Sequence, residues 1–473
     1  MASSGQFQLS KDAASHSKRV IDYVIRGPGR GKAFERMSDF VDCFSSRMAG
    51  TRELECAIDW AVAELRTSDF LDAQTEEFRM PRWSRGLEEA SIVSPVRRKL
   101  SMLSLGYSAP TLPGGIEADC IVVHSFNELD SAAAQGLVRG RIVVFNQPWA
   151  GYDSTRQFRN HGPSLASKFG AVAALVRSVT PLAVDSPHAG VTLFDAAGAT
   201  ASPIPAACLA PDDAEALARW QRRQQTPRIR LSIQCSPTEL DSIRSRNIVA
   251  DLPGCDPAVA HELVVLCAHI DCWDVGQGAM DDAGGVFVAW EALRTIRQAL
   301  QEHRTRRTIR LILFSGEELG LWGGRLYFEA HSSELAGRLS YMLETDGGTF
   351  DPRGVTCSGS AATTAALRTV LQPLESSLGA CNVFEKLDGP DITEWASVGV
   401  PVGNLVTQRT GESADFYFQF HHSRGDTVSV QDPFEMDRCT AVMAVVALNL
   451  ADASTMLPRG PEQAADKEPR LEA

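Results

Sequence analysis

The sequence predicts an α/β protein with a mainly parallel central sheet flanked by helices and with an inserted β-rich domain. From residue 247 onward, continuous apolar segments alternate with helical segments, as in parallel sheets that are covered on both faces. Between residues 111 and 235, short β-branched segments are separated by Gly, Pro and Asn turns, which indicates a small β-rich domain. The length of 473 residues suggests roughly three domains or lobes at about 150 residues each.

These patterns divide the chain into five parts. Apolar positions between residues 34 and 66 recur at helical spacing and predict about two helices in the first part of the main domain. The last residues are rich in Pro, Glu and Ala, a composition typical of disorder. The predicted parts are a polar N-terminal segment at 1–34, the first part of the main domain at 35–110, the β-rich insert at 111–235, the second part of the main domain at 236–457, and a disordered tail at 458–473.

The individual strands follow from the apolar segments. In the insert, strands are predicted at 120–124, 141–145, 171–176 and 204–209, with one helix near 154–169. In the main domain, strands are predicted at 261–268, 308–314, 339–343 and 401–406. The helix predicted at 285–300 places five apolar residues on one face, namely Val286, Ala289, Leu293, Ile296 and Leu300.

The composition excludes several classes of protein. The longest apolar run, Ala441 to Leu448, has eight residues, whereas a membrane-spanning helix needs about 20, so no membrane span is predicted. The formal net charge of −13 argues against nucleic-acid binding, which requires a basic surface. The first 25 residues lack a signal-peptide pattern, and no Asn-x-Ser/Thr sequon occurs, so the residues alone favour a cytoplasmic protein. The 11 cysteines show no CxxC spacing and are predicted to be mostly free, buried thiols.

Imidazole and carboxylate side chains follow successive predicted strands of the main domain. Because the carboxyl ends of parallel strands meet at one edge of a sheet, we expect these side chains to lie together there. The first strand is followed by His269, Asp271 and Asp281, the second by Glu317 and Glu318, the third by Asp346, and a late loop carries His421, His422 and Asp426.

This set of side chains predicts a zinc site. Histidine and carboxylate without a thiolate cluster suit zinc with an open coordination position. So many carboxylates would repel one another without cations, and two metals bridged by one aspartate would resolve the conflict. Each pattern alone is more typical of a structural role, so the prediction depends on their conjunction. The other seven histidines are predicted to be structural or superficial: His16, His124, His161, His188, His261, His303 and His331.

The segment from His269 to Asp282, HIDCWDVGQGAMDD, resembles the metal-binding loop of the carboxypeptidase Q family, a group of dinuclear zinc peptidases. The resemblance implies a zinc aminopeptidase-like catalytic fold and an insert similar to a protease-associated domain beside the catalytic cleft. It also implies a homodimer. The likeness runs from Gly31 to about Leu457 and includes residues 145–148, 176–179, 186–190, 391–392 and the loop with His421 and His422.

The resemblance also implies a role for each matching residue. His269 and Asp346 would bind one zinc, Glu318 and His422 the other, and Asp281 would bridge the two. Glu317 would be the general base, and Asp271 would orient His269. The Asp281–Asp282 peptide would be cis. The cofactor implied is two Zn²⁺ per chain, and the function implied is a zinc-dependent exopeptidase or dipeptidase that hydrolyses short peptides.

Some alternatives remain open at this point. An aminopeptidase of the same clan would use the same site, and a carboxypeptidase for acidic peptides would need arginines such as Arg409 or Arg424 near the metals. A receptor-like binding scaffold of the same architecture would be non-catalytic. The resemblance implies an extracellular or lysosomal location, which conflicts with the missing signal peptide and sequons. Cys272, where the family has a small hydroxyl residue, is interpreted as a passive thiol.

Overall fold

The computed structural model describes residues 6–67, 71–193, 202–379 and 382–460. The helices are α1 (Ala13–Ile25), α2 (Lys32–Cys43), α3 (Arg52–Thr67), α4 (Phe126–Ala134), α5 (Tyr152–Lys168), α6 (Pro211–Arg222), α7 (Gly284–Ala299), α8 (Trp322–Leu335), α9 (Ala361–Leu371), α10 (Glu375–Leu378) and α11 (Pro433–Asp452). None of the helices in the described residues combines the length and the apolar composition that crossing a bilayer would require.

The strands fall into two sheets of eight strands each within the described residues. They are β1 (Asp72–Arg82), β2 (Glu88–Ser94), β3 (Arg98–Leu100), β4 (Met102–Ser104), β5 (Ile116–Val123), β6 (Ile142–Phe145), β7 (Ala173–Arg177), β8 (Ala206–Leu209), β9 (Arg228–Ile233), β10 (Glu239–Leu252), β11 (Leu263–His269), β12 (Thr308–Phe314), β13 (Leu339–Glu344), β14 (Pro352–Cys357), β15 (Asn382–Glu385) and β16 (Val402–Thr407).

The described chain divides into two compact units. The two main boundaries between these units fall inside strands. One follows Phe78 in β1, and the other precedes Arg244 in β10. The catalytic unit, as we call it below, contains described residues of Met1–Phe78, Arg244–Ala414 and Asp426–Asp466. The inserted unit contains Arg79–Ile243 together with the short segment Asp415–Gly425.

The sheet of the catalytic unit has the order β1-β10-β12-β11-β13-β16-β14-β15. Its four middle strands, β12, β11, β13 and β16, are parallel, as the sequence predicted. The strands that flank them, β10 and β14, run antiparallel to their neighbours β12 and β16. All seven residues of β11 are buried, which explains why this strand is apolar throughout rather than alternating.

Helix α7 is buried along most of its length because it contacts both α2 and α11 in addition to the sheet. The predicted apolar face, with Val286, Ala289 and Leu293, is buried, but so are Phe287 and Trp290 on other faces. Helix α11 is buried from Met436 to Asp452 except at Arg438. These two helices thus form the interior layer that supports the sheet from one side.

The inserted unit is a mixed sheet with helices rather than a mainly β domain. Strands β5, β6, β7 and β8 match the four predicted strands and are parallel, and α5 matches the predicted helix. The helices α4 and α6 were not predicted. The sequence does carry a signal for α6, since Pro211 occupies the first turn with Asp212 and Asp213, and Arg222 lies in the last turn.

The inserted unit begins earlier than the predicted limit of residue 111, because β2 pairs antiparallel with β9 and therefore joins its sheet. At the N-terminus, the segment predicted only as polar contains α1, an amphipathic helix that buries Val20, Ile21 and Val24. Of the predicted disordered tail, residues 461–473 lie outside the described residues. Pro458 and Arg459 are described, and the carbonyl oxygen of Pro458 accepts a hydrogen bond from Thr363 at 2.6 Å.

Candidate metal centre

Three neighbouring strands of the catalytic unit end at the same edge and deliver the predicted side chains there. His269 is the last residue of β11 and pairs in register with Phe314, the last residue of β12. Glu317 and Glu318 follow β12 after a two-residue turn, and Asp346 follows β13. The alignment of parallel strands explains this convergence, since their carboxyl ends lie side by side.

The ligand atoms of this cluster lie within a few ångströms of one another. His269 Nε2 is 3.2 Å from Asp281 Oδ1, 3.7 Å from Asp346 Oδ1 and 4.0 Å from Glu317 Oε2. One ligand atom each of His269, Asp281 and Glu318 lie within 4.8 Å of one another. The catalytic unit therefore brings together six of the seven predicted site residues, namely His269, Asp271, Asp281, Glu317, Glu318 and Asp346.

Asp271 acts on two parts of the cluster. Its main-chain oxygen lies 3.1 Å from His269 Nδ1, whereas its carboxylate is 3.8 Å from that nitrogen. The carboxylate instead accepts the backbone N–H groups of Glu317 and Glu318 at 3.3 and 3.4 Å. Asp271 therefore contacts His269 mainly through its carbonyl and fixes the Glu317–Glu318 turn through its carboxylate, a second contact that the sequence did not predict.

The electrostatics of the cluster favour a cation. Burial raises the pKa values of Glu317 and Glu318 well above their usual range, and neighbouring carboxylates add to the effect. Burial alone would lower the pKa of His269, but the negative charge of Glu317 and the close carboxylates of the surrounding aspartates raise it well above its usual value. Negative charge is thus concentrated in a buried space, and a divalent cation would relieve it.

The residues present fit a metal ion such as zinc. His269 Nε2 is buried and makes no hydrogen bond within the described part of the chain, although carboxylate oxygens surround it. A nitrogen oriented in this way, with its Nδ1 held by a carbonyl, is the usual arrangement of a metal-binding histidine. The donors are nitrogen and oxygen without thiolate, which suits zinc with room for a water or substrate atom.

The seventh predicted residue, His422, belongs to the inserted unit. His422 Nδ1 lies 3.2 Å from the carbonyl oxygen of Ala189, and the backbone N–H of Ala189 donates to the carbonyl of His422 at 2.8 Å. His188 Nδ1 is 2.6 Å from the carbonyl oxygen of His421. Burial, together with the charges of His421 and Arg159, lowers the pKa of His422 well below its usual value. His422 is thus held as a neutral imidazole, the form that binds metals.

Stacking also supports the loop of His422 within the inserted unit. Tyr152 and Phe418 stack with ring centroids 4.7 Å apart and planes 11° apart. Trp149 Nε1 donates to Asp415 at 3.1 Å. Residues 186–190, which are part of the family resemblance, therefore lie in the segment that holds the loop of His422 in place.

Three further residues hold the metal-site backbone, and sequence reasoning gave them no such role. Asp426 accepts the backbone N–H groups of Met280 and Asp281 at 2.7 and 3.1 Å. Asn404 on β16 pairs with the main chain of Asp346, accepting from its N–H at 3.1 Å and donating to its carbonyl at 2.8 Å. Asp282 accepts the N–H of His269 at 3.2 Å, and the predicted cis peptide between Asp281 and Asp282 is present.

The sequence did not predict the role of Arg47, because no motif around this residue indicates a contact with the metal loop. Its side chain is fully buried, and its guanidinium donates to the carbonyl oxygens of Ile270, Gln277 and Gly278 at 2.8, 2.8 and 2.9 Å. Its backbone N–H donates to Cys272 Sγ at 3.3 Å. Burial raises the pKa of Cys272 to about 11, so the thiol stays protonated, which agrees with its interpretation as passive.

We expect Arg47→Met to destabilise the protein by about 3 kcal/mol, because buried carbonyl oxygens of the metal loop lose their donors. Urea unfolding followed by tryptophan fluorescence would measure this change as a lower midpoint. Arg52→Met, at the exposed start of α3, is the matched control and should leave the midpoint unchanged. An Arg47→Met midpoint equal to that of the control would contradict the bracing role.

The two arginines considered for acidic substrates have different positions. In the catalytic unit, Arg409 donates to the carboxylate of Glu435 at 2.6 Å and to the carbonyl of Val430 at 2.9 Å, so its charge is already neutralised. Arg424 is exposed in the inserted unit.

Comparison with known proteins agrees with this geometry. The model of peptidase family M28 matches residues 247–447, which contain all seven predicted site residues. Carboxypeptidase Q of Xenopus laevis is 37% identical over 449 residues, covering 95% of this chain and 91% of the relative. The chain belongs to the carboxypeptidase Q family of M28 peptidases. Membership of this family makes it a metallopeptidase.

Two solved peptidase structures have the same fold. A peptidase M28 precursor of Shewanella amazonensis superposes with a TM-score of 0.86 at 26% identity, covering 95% of this chain and 99% of that one. A zinc aminopeptidase of Bacillus subtilis superposes with a TM-score of 0.64 at 19% identity, covering 89% of this chain and 95% of that one. The mixed α/β architecture with large sheets is therefore shared, and zinc is the metal named for one of these structures.

Proposed function

We propose that this member of the family is a zinc-dependent exopeptidase or dipeptidase that hydrolyses short peptides with two zinc ions per chain. The observation that carries the proposal is the position of Glu317 beside the metal cluster. Its carboxylate lies 4.0 Å from His269 Nε2, and its side chain is 16% exposed, against 0% to 11% for His269, Asp281 and Asp346. A carboxylate at the open side of a buried cluster can reach a reacting water or substrate.

The proposed metal ligands divide between two ions. His269 and Asp346 would hold one zinc, Glu318 and His422 the other, and Asp281 would contribute one carboxylate oxygen to each. Zinc supplies Lewis acidity, which makes water more acidic and polarises a peptide carbonyl. Glu344 and Asp391 are also buried beside the cluster, and a second cation would offset the repulsion among so many carboxylates.

Glu317 would act as the general base and then as the general acid. It would take the proton of the attacking water and return it to the nitrogen of the leaving amine. Asp271 would keep the carboxylate in place, because it holds the backbone N–H of Glu317. Asp346 would keep its direction through the paired hydrogen bonds of Asn404.

We extend the proposal to the inserted unit and to the assembly, where the family resemblance is the support. The inserted unit would act as a protease-associated domain that shapes access to the catalytic cleft. The enzyme would form a homodimer and would work outside the cytosol, in the extracellular space or the lysosome. Light scattering on the purified protein tests the dimer directly, since a monomer mass would contradict it.

We expect chelation to abolish peptide hydrolysis and added zinc to restore it, whereas added magnesium should not, because a mixed nitrogen and oxygen donor set prefers zinc. The assay uses Ser-Met and Ala-Glu together with their N-acetylated and C-amidated forms. A dipeptidase should cleave only the unblocked peptides. An aminopeptidase would tolerate the amidated forms, and a carboxypeptidase the acetylated forms.

The receptor-like scaffold predicts a different result in the same experiment. Such a protein would contain well below one zinc per chain and would cleave none of the peptides before or after zinc is added. Metal analysis of the purified protein would therefore separate a scaffold from an enzyme with an unexpected substrate, which would contain zinc but leave these dipeptides intact.

A further inference from the structure

A second group of metal-binding side chains lies in the catalytic unit, away from the cluster described above. It consists of His16 on α1, His303 in the turn after α7, and Asp452, the last residue of α11. We refer to these three residues as the α1 cluster. One ligand atom of each lies within 4.8 Å of the others. The sequence gave His16 and His303 only a structural or superficial role.

The side chains of the α1 cluster lie close together. His303 Nε2 is 2.7 Å from Asp452 Oδ2, and the rings of His16 and His303 lie with centroids 4.3 Å apart. The other carboxylate oxygen of Asp452 accepts the backbone N–H of Arg306 at 3.0 Å, which fixes the carboxylate. His16 Nδ1 is buried and makes no hydrogen bond to the described residues.

We propose that the α1 cluster is a binding site for a divalent transition-metal ion such as Zn²⁺. Two imidazoles and one carboxylate form a common zinc ligand set, and the partial exposure of His303, at 27%, leaves a fourth position for water. Tetrahedral zinc places neighbouring ligand atoms about 3.4 Å apart at bond lengths of about 2.1 Å. Small side-chain rotations would bring the three ligand atoms to this spacing.

The surroundings of the α1 cluster also suit a cation. His303 follows the carboxyl end of α7 and Asp452 is at the carboxyl end of α11, and helix carboxyl ends carry partial negative charge.

The α1 cluster is separate from the proposed catalytic centre. Asp281 and Asp282 precede α7, whereas His303 follows it, and a helix of 16 residues is about 24 Å long. A metal at the α1 cluster would therefore not touch the catalytic residues. It would connect three elements that are distant in sequence and fasten α1 to the rest of the catalytic unit.

Calorimetric titration of the zinc-loaded, dialysed protein with Zn²⁺ tests the site. We expect one additional equivalent of zinc to bind per chain. We expect His16→Gln or His303→Gln to lower the affinity for this zinc by more than about 100-fold, because removing a ligand costs more affinity than removing a residue that only orients a ligand. The control is His331→Gln, because His331 pairs with the carboxylate of Glu76 at 2.8 Å and lies outside the α1 cluster. This variant should bind zinc like the wild type.

Hydrogen–deuterium exchange gives a second measurement that does not depend on activity. Zinc should slow exchange in α1 of the wild type and of His331→Gln. It should not slow exchange in α1 of His303→Gln, a variant in which the sequence of α1 is unchanged. Absence of the additional equivalent would overturn the proposal. So would equal binding by all three variants, which would mean adsorption of zinc at scattered surface groups.

Discussion

Glu317→Gln is expected to lower kcat for dipeptide hydrolysis by about 10³-fold while the zinc content stays at the wild-type value. The amide keeps the size and shape of the side chain but cannot accept the proton of the attacking water. Glu317 is not among the proposed ligands, and Asp271 holds its backbone, so the fold and the metal cluster should remain. Steady-state kinetics and metal analysis on the same sample provide both numbers.

The control for this variant is Glu329→Gln, which removes an exposed carboxylate on α8 and should leave kcat unchanged. Activity of Glu317→Gln within tenfold of this control would exclude Glu317 as the base. A loss of zinc together with activity would instead mean that Glu317 is a ligand, and the roles of Glu317 and Glu318 would have to be exchanged.

Asp281→Asn is expected to reduce the zinc content from the proposed two equivalents to less than one and to lower activity by at least about 10³-fold, because a neutral amide replaces the carboxylate that we propose both ions share. Asp346→Asn should have a smaller effect on metal content, with about one equivalent retained, since Asp346 is proposed to bind only one ion. Metal analysis after equilibrium dialysis would distinguish the two variants.

The comparison needs a carboxylate that has no part in the cluster, and Asp39→Asn on the exposed side of α2 serves that purpose. If Asp281→Asn and Asp346→Asn lost the same amount of zinc, the bridging role of Asp281 would be wrong. If Asp281→Asn kept both ions, other carboxylates would have to be the ligands. Asp282 would then be a candidate, because it is also buried next to His269.

The parallel core of the catalytic unit could be predicted from the sequence because its strands are buried on both faces and therefore apolar throughout. The candidate site could be predicted for a related reason. His269, Glu317 and Asp346 each interrupt apolar character directly after such a strand, and strand order then determines that they meet. Both predictions depend on patterns that are local in the sequence.

The parts that could not be predicted depend on contacts between distant segments. Arg47 holds the loop at residues 270–278 from more than two hundred positions away, and Asn404 holds Asp346 from a neighbouring strand. Neither residue type signals such a role, since a lone arginine or asparagine is usually exposed. The start of the inserted unit also lies earlier than the sequence predicted, because β2 pairs with β9, a strand far along the chain, as well as with its neighbour β3.

The membership of the segment Asp415–Gly425 in the inserted unit limits how far this enzyme could be shortened. The segment lies late in the chain, yet its loop is held by Trp149, Tyr152, His188 and Ala189. A minimal version made by excising residues 79–243 would retain the codons for His421 and His422 but would remove every one of these supports. A shortened gene that follows the domain boundary would therefore encode this loop without the contacts that hold it in place.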